Sequence, residues 1–166
     1  MGKTIQLTAF MAALLLCASF SLQGADTKPN DTKPDAAAIE KAIRQTYADI
    51  TKAAESVDAE KLFGYVLDND KGCLISNGKI TLTREMALED YKTRSAGVAE
   101  VVYAMDKQYV TVISAETAVL VAEGRFEATT KDGRTFGLPM VQTVVFVLKE
   151  DGWKVLHSHT SSPAVQ

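Results

Sequence analysis

The sequence predicts an α+β domain in which helices pack on one face of an antiparallel sheet. Apolar residues recur every three or four positions within residues 36–67 and 84–95, which is the period of an amphipathic helix. After residue 100 apolar and polar residues alternate instead, and turn signals separate long segments. With 46% apolar and 23% charged residues, the chain has the composition of an ordinary globular domain.

The N-terminus has the character of a secretory signal peptide. Lys3 is followed by residues 5–20, which are almost continuously apolar and carry no charge. We predict a signal peptide over residues 1–24 and a disordered polar linker over 25–35, so the mature protein would be secreted or periplasmic. Leu16 precedes Cys17 where a lipoprotein signal requires a small residue, so we expect no lipid anchor.

Three helices are predicted, each preceded by a residue that can cap it. Asp35 precedes an amphipathic helix over residues 36–56, and Asp58 precedes a shorter helical segment that reaches residue 67. Thr83 precedes a third helix over residues 84–95.

The strands begin with a hairpin over residues 73–82, for which Asn77-Gly78 supplies the turn. A strand over 100–114, with a bend at Asp106-Lys107, leads to strands over 117–130, 136–149 and 153–160. A curved sheet leaning over three helices would enclose a conical cavity. The strand 136–149 is apolar on both faces, which predicts cover on both sides and therefore a homodimer.

The last strand carries the candidate functional residues. It contains the only tryptophan and both histidines of the chain. Strict alternation would place Trp153, Val155, His157 and His159 on one face. An apolar floor with a polar rim is typical of a ligand cavity.

A second candidate is Arg125, which shares a predicted strand face with Glu123 and Glu127. Such an arginine can bind a carboxylate, or it can form an ion pair with its neighbours in solvent. Tyr91 on the third helix can point into the cone, and Trp153 and Phe126 can form its floor.

Three helices followed by long strands that end in Gly-Trp-Lys-Val-Leu-His-Ser-His-Thr-Ser-Ser-Pro resemble the nuclear transport factor 2-like superfamily. The SnoaL-like branch and the association domain of calcium/calmodulin-dependent kinase II are the most similar. The pattern is matched by Trp153, His157, His159, Ser161 and Pro163, and the resemblance covers residues 36–163. It implies a cone of three N-terminal helices packed in a strongly curved antiparallel sheet. Kinase association domains also carry a pocket arginine, on the strand that corresponds to the one containing Arg125 here.

The superfamily hosts isomerases, cyclases, dehydratases, binding modules and oligomerisation hubs, so the resemblance indicates a fold more than an activity. The resembling isomerases place a catalytic Asp on the hairpin after the second helix, and residues 74–79 contain no carboxylate. We therefore predict a small-molecule-binding domain with no assigned catalytic residue. The predicted ligand-binding residues are His157, His159, Arg125, Trp153, Glu123 and Tyr91.

Two alternatives stay open. One is an enzyme of the isomerase, cyclase, dehydratase or hydrolase type that uses a pocket histidine as its base. The other is a homo-oligomeric assembly domain. Two histidines without a third ligand predict no metal site, and we expect no cofactor. A net charge of −3 with no basic stripe argues against nucleic acid, and residues after the first two dozen predict no membrane span.

Overall fold

The computed structural model describes residues 35–71, 73–76 and 78–163. The predicted signal peptide, and the predicted linker up to residue 34, lie outside these residues. The helices are α1 (Ala36–Glu55), α2 (Ala59–Phe63) and α3 (Arg84–Ser95). The strands are β1 (Leu74–Ser76), β2 (Lys79–Thr81), β3 (Val98–Ser114), β4 (Thr117–Thr130), β5 (Thr135–Lys149) and β6 (Gly152–Ser161). The predicted order of helices and strands is confirmed.

All three helices begin at the residues that the sequence predicts. In each case the capping side chain accepts a hydrogen bond from the backbone N–H three residues later. The donors and distances are Ala38 N to Asp35 (3.2 Å), Lys61 N to Asp58 (3.0 Å) and Met86 N to Thr83 (3.2 Å).

The strands form one strongly curved, six-stranded sheet with the order β2-β1-β6-β5-β4-β3. Strands β1 and β6 pair in parallel, and every other neighbouring pair is antiparallel. The bend predicted at Asp106-Lys107 is a β-bulge, because the pairing of β3 with β4 shifts between Met105 and Lys107. Gly124 lies opposite this bulge, where its backbone approaches that of β3 closely.

The two faces of the sheet have different surroundings. The inner face turns toward the helices, and its buried residues Leu120, Val144 and Phe146 share one cluster with Ile43 of α1 and Phe63 of α2. The outer face is the opposite one, and no described helix covers it. The prediction that β5 is apolar on both faces is confirmed, with Met140, Val144 and Phe146 inward and Val141, Val145 and Val147 outward.

Helix α1 lies along the free edge of β3. At one end Arg44 Nη1 donates a hydrogen bond to Gln108 O over 3.2 Å. At the other end Glu55 Oε1 accepts one from Tyr103 N over 3.0 Å. Because an open strand edge offers unpaired backbone groups to other chains, these two side chains both fix α1 and protect the edge.

Strands β3 to β5 extend beyond the end of β6. We call this extension, residues 98–105, 124–130 and 135–140, the arm. Its tip is fastened to the end of α3, since Lys131 Nζ donates to Ala96 O over 2.7 Å and Lys131 N to Gly97 O over 2.9 Å. These two hydrogen bonds fix the tip of the arm to the segment that joins α3 to β3.

Candidate functional site

The two histidines lie on the outer face of the sheet. Val145 pairs with His157, but the next residue, Phe146, pairs with Val155, so Leu156 is the extra residue of a bulge. A bulge of one residue reverses the faces of all side chains that follow it. The predicted common face of the last strand is therefore wrong beyond Val155.

The predicted alternation on β4 is confirmed, but its polar face is the outer one. Arg125 lies outward between Glu123 and Glu127, and Glu123 forms an ion pair with Lys107 over 2.6 Å. Arg125 therefore does not rim the cone, contrary to the prediction.

The remaining two predicted site residues face inward. Trp153 packs against the core cluster. The rings of Tyr91 and Phe63 pack edge to face, with their centroids 5.8 Å apart, and the Tyr91 hydroxyl donates to Ala54 O over 3.3 Å. The predicted site is thus divided between the two faces: His157, His159, Arg125 and Glu123 lie outward, and Trp153 and Tyr91 lie inward.

Inside the arm, three aromatic side chains form a continuous surface, which we call the aromatic wall. The ring centroids of Tyr103 and Phe126 are 6.3 Å apart, and those of Phe126 and Phe136 are 6.1 Å apart. The core cluster includes none of the three. Phe136 is 50% exposed although it lies on the inner face. The wall thus faces the interior of the cone without being packed into the core.

The Tyr103 hydroxyl adds one polar group to this wall. Burial raises the pKa of this hydroxyl to about 12. Tyr91 and the Glu55 carboxylate raise this pKa further, whereas Arg94 lowers it. At neutral pH the group is therefore a protonated phenol with a hydrogen to donate.

Next to the wall, Gln142 is the centre of a buried hydrogen-bond network. Its Oε1 accepts from the Tyr47 hydroxyl over 2.8 Å, and its Nε2 donates to Ser158 Oγ and Thr160 Oγ1, each over 3.1 Å. Tyr47 is only 3% exposed, and burial raises its pKa. The network joins α1, β5 and β6 across the inner face of the sheet.

Sequence reasoning did not find Tyr103, Glu55 or Gln142. For Gln142 a signal existed, since it is the one amide within the apolar run 138–148 and falls on the same face as Val144 and Phe146. An inward amide in a buried strand requires partners, and so predicts a polar network.

Alkaline solution should weaken the fold through its tyrosines. Burial raises the pKa of Tyr47, Tyr91 and Tyr103 above the ordinary value of about 10. Their stabilising contribution is therefore complete below pH 10 and is lost as the pH rises toward 12. We expect the free energy of unfolding, measured with urea, to fall from pH 10 upward. Tyr103→Phe should make this decline shallower, and Tyr109→Phe, at a 57% exposed position, should not.

The outer face carries a shallow groove of about 560 Å³ next to the end of β6. Its lining residues are Asp106, Glu123, Gly124, Pro139, Met140, Val141, Ser161, Ser162 and Pro163. Across the neighbouring strands the outer face is mainly apolar, with Val121 36% and Val141 46% exposed.

Among the described residues, no three histidine, cysteine or carboxylate side chains lie close enough together to hold a metal ion. No helix in the described ranges combines the length and the apolar character needed to cross a membrane.

Solved structures with the same fold come from several bacteria. A nuclear transport factor 2-like superfamily protein from Salmonella enterica is 17% identical, with a TM-score of 0.69, over 78% of this chain and 94% of that chain. A Xanthomonas campestris protein, provisionally named a calcium/calmodulin-dependent protein kinase II association domain, is 16% identical, with a TM-score of 0.65, over 74% and 87%. A ketosteroid isomerase-like protein from Erwinia carotovora is 17% identical, with a TM-score of 0.62, over 75% and 96%. At these identities the likeness establishes the fold alone.

No curated protein matches the sequence. The family model of the SnoaL-like domain, however, matches residues 43–165, which include most of α1, the whole sheet and the aromatic wall. The chain therefore belongs to the SnoaL-like domain family.

Proposed function

We propose that the protein binds a flat, uncharged small molecule against the aromatic wall, inside the arm of the cone. The observation that carries this proposal is an inward-facing surface of three aromatic rings that the core does not cover. Apolar and aromatic walls with a few placed polar groups are typical of ligand sites. A planar ligand would cover the exposed face of Phe136, which is costly to leave in water.

The polar chemistry of the wall favours a neutral ligand with a hydrogen-bond acceptor. The Tyr103 hydroxyl offers a donor, and the nearby Glu55 carboxylate would repel an anion. Arg94 is a cation that lowers the pKa of Tyr103, and it forms an ion pair with Asp90 over 3.0 Å. A carbonyl or ether oxygen therefore suits this site better than the carboxylate that Arg125 was predicted to bind.

A binding role fits better than histidine-based catalysis. Both histidines lie on the outer face, so neither can act as a base inside the cone. We also propose, from the signal-peptide pattern of residues 1–24, that binding takes place outside the cytoplasm.

The binding proposal is tested with two matched bicyclic probes, the neutral ketone 1-tetralone and the anion 1-naphthoate, titrated into the purified protein by calorimetry. We expect 1-tetralone to bind and 1-naphthoate to bind at least tenfold more weakly. Tyr103→Phe should weaken 1-tetralone binding about tenfold, because one hydrogen bond is lost.

The control for this experiment is Tyr109→Phe, the same change on the outer face of the same strand. It should leave the affinity unchanged. An equal loss of 1-tetralone affinity in Tyr103→Phe and Tyr109→Phe would contradict the assigned site. Tighter binding of 1-naphthoate than of 1-tetralone would contradict it as well.

We further propose that two copies associate through the outer face. The described helices all pack on the inner face and do not cover the outer one, where Val121 and Val141 are exposed and Val119 and Val145 are half-buried. Four charged side chains lie beside this apolar area and alternate in sign, namely Lys107, Glu123, Arg125 and Glu127. Their formal charges sum to zero. A face with balanced charges does not repel its own copy, as a two-fold interface requires.

The association is measured by sedimentation velocity. The protein should sediment as a dimer, and Val121→Lys should convert it to a monomer by placing a charge within the interface. Met86→Lys, a 53% exposed position on α3, should remain a dimer. A monomeric parent protein would refute this interface.

A further inference from the structure

His159 occupies a central position on the outer face. In one row across the sheet it lies between Ile75 of β1 and Thr143 of β5, and the row continues to Val121 of β4. In the single protomer the side chain is exposed to solvent. In a dimer formed through this face it would be covered.

We propose that His159 makes self-association sensitive to pH, so that the dimer separates in mildly acidic solution. This inference rests on the homodimer proposed above. Its physical basis is the juxtaposition of an ionisable imidazole with a row of apolar and hydroxyl side chains on both neighbouring strands.

Among the described residues, those that face His159 on the neighbouring strands carry no charge. On β1 and β2 the facing residues are Ile75 and Ile80, and on β5 they are Thr143, Val141 and Val145. None of these side chains ionises.

Two charged groups of the outer face have ion-pair partners of their own. Glu123, two strands away, is paired with Lys107, and Lys154 on β6 is paired with Asp151 over 2.8 Å. His157 precedes His159 on the same strand. Asn69 Nδ2 donates to Leu156 O over 3.4 Å, so the loop that carries Asp68 and Asp70 reaches β6 three residues before His159.

Covering the face therefore favours the neutral imidazole. Burial among apolar groups disfavours a charged side chain, and a two-fold interface would bring two such charges into one contact. Histidine is the side chain that ordinarily changes its charge between pH 5 and 8, so a fall from pH 7.5 to pH 5.5 favours the protonated form and the separated protomers. Two copies of His159 that must lose their protons would raise the dimer dissociation constant on the order of a hundredfold.

The experiment is a dilution series of the purified protein followed by sedimentation velocity at pH 7.5 and pH 5.5, at constant ionic strength. The dissociation constant should rise on the order of a hundredfold at the lower pH. His159→Asn removes the titrating group while keeping a polar side chain, and its dissociation constant should be the same at both pH values. His157→Asn, two residues earlier on the same face, should keep the dependence on pH.

The outcomes separate this inference from the dimer itself. A monomer at both pH values would refute the interface and this inference with it. A dimer whose dissociation constant is unchanged by pH would overturn only the role of His159. The role of His159 would also be overturned if the dissociation constant of His159→Asn kept its full dependence on pH, or if that of His157→Asn lost it.

Discussion

Gly124→Ala is expected to destabilise the fold by about 3 kcal/mol, measured by urea unfolding. A Cβ at this position would overlap Ala104 O and would lie 2.9 Å from Met105 Cα. Both are backbone atoms of the β3 bulge, so no side-chain rotation can relieve the contact. The strands would have to separate where the arm bends away from the rest of the sheet.

Gly97→Ala is the matched control for this prediction. No atom lies within 4 Å of a Cβ at Gly97, so its stability should change by less than about 0.5 kcal/mol. If the two variants were equally stable, the close approach of β3 and β4 at Gly124 would be refuted.

Gln142→Met should cost about 2–3 kcal/mol of unfolding free energy, although methionine has nearly the same shape. The substitution removes the acceptor of the Tyr47 hydroxyl and the donor to Ser158 and Thr160. Ser158 is 5% exposed and Tyr47 3%, so water cannot readily replace the lost partner.

The same change at Gln45 provides the comparison. Gln45 is exposed on α1 and bonds only the neighbouring Asp49 over 3.1 Å, so Gln45→Met should alter stability by less than about 0.5 kcal/mol. A small effect at Gln142 as well would mean that the buried network contributes little to the fold.

Local chemistry explains why the element order was predictable. The capping residues Asp35, Asp58 and Thr83 mark the helix starts, and the hairpin signal at residues 131–134 separates β4 from β5. These signals depend on residues close in sequence, so they can be recognised without the tertiary structure.

The site was less predictable because it depends on contacts distant in sequence. The bulge at Leu156 has no signature such as glycine, yet it moves His157 and His159 to the outer face. Similarly, the burial of Tyr103 depends on how α1 and the arm meet. Alternation predicts which side chains share a face of a regular strand, but not which face is covered.

The interior and outer faces therefore have separate proposed roles, ligand binding inside the arm and self-association outside. Chemical-shift mapping tests this division most directly, with 1-tetralone titrated into isotope-labelled protein. We predict that the largest shifts occur in the side-chain resonances of Tyr103, Phe126 and Phe136. Shifts concentrated instead at Glu123, Val141 and Ser161, in the outer groove, would contradict the central claim that the aromatic wall is the binding site.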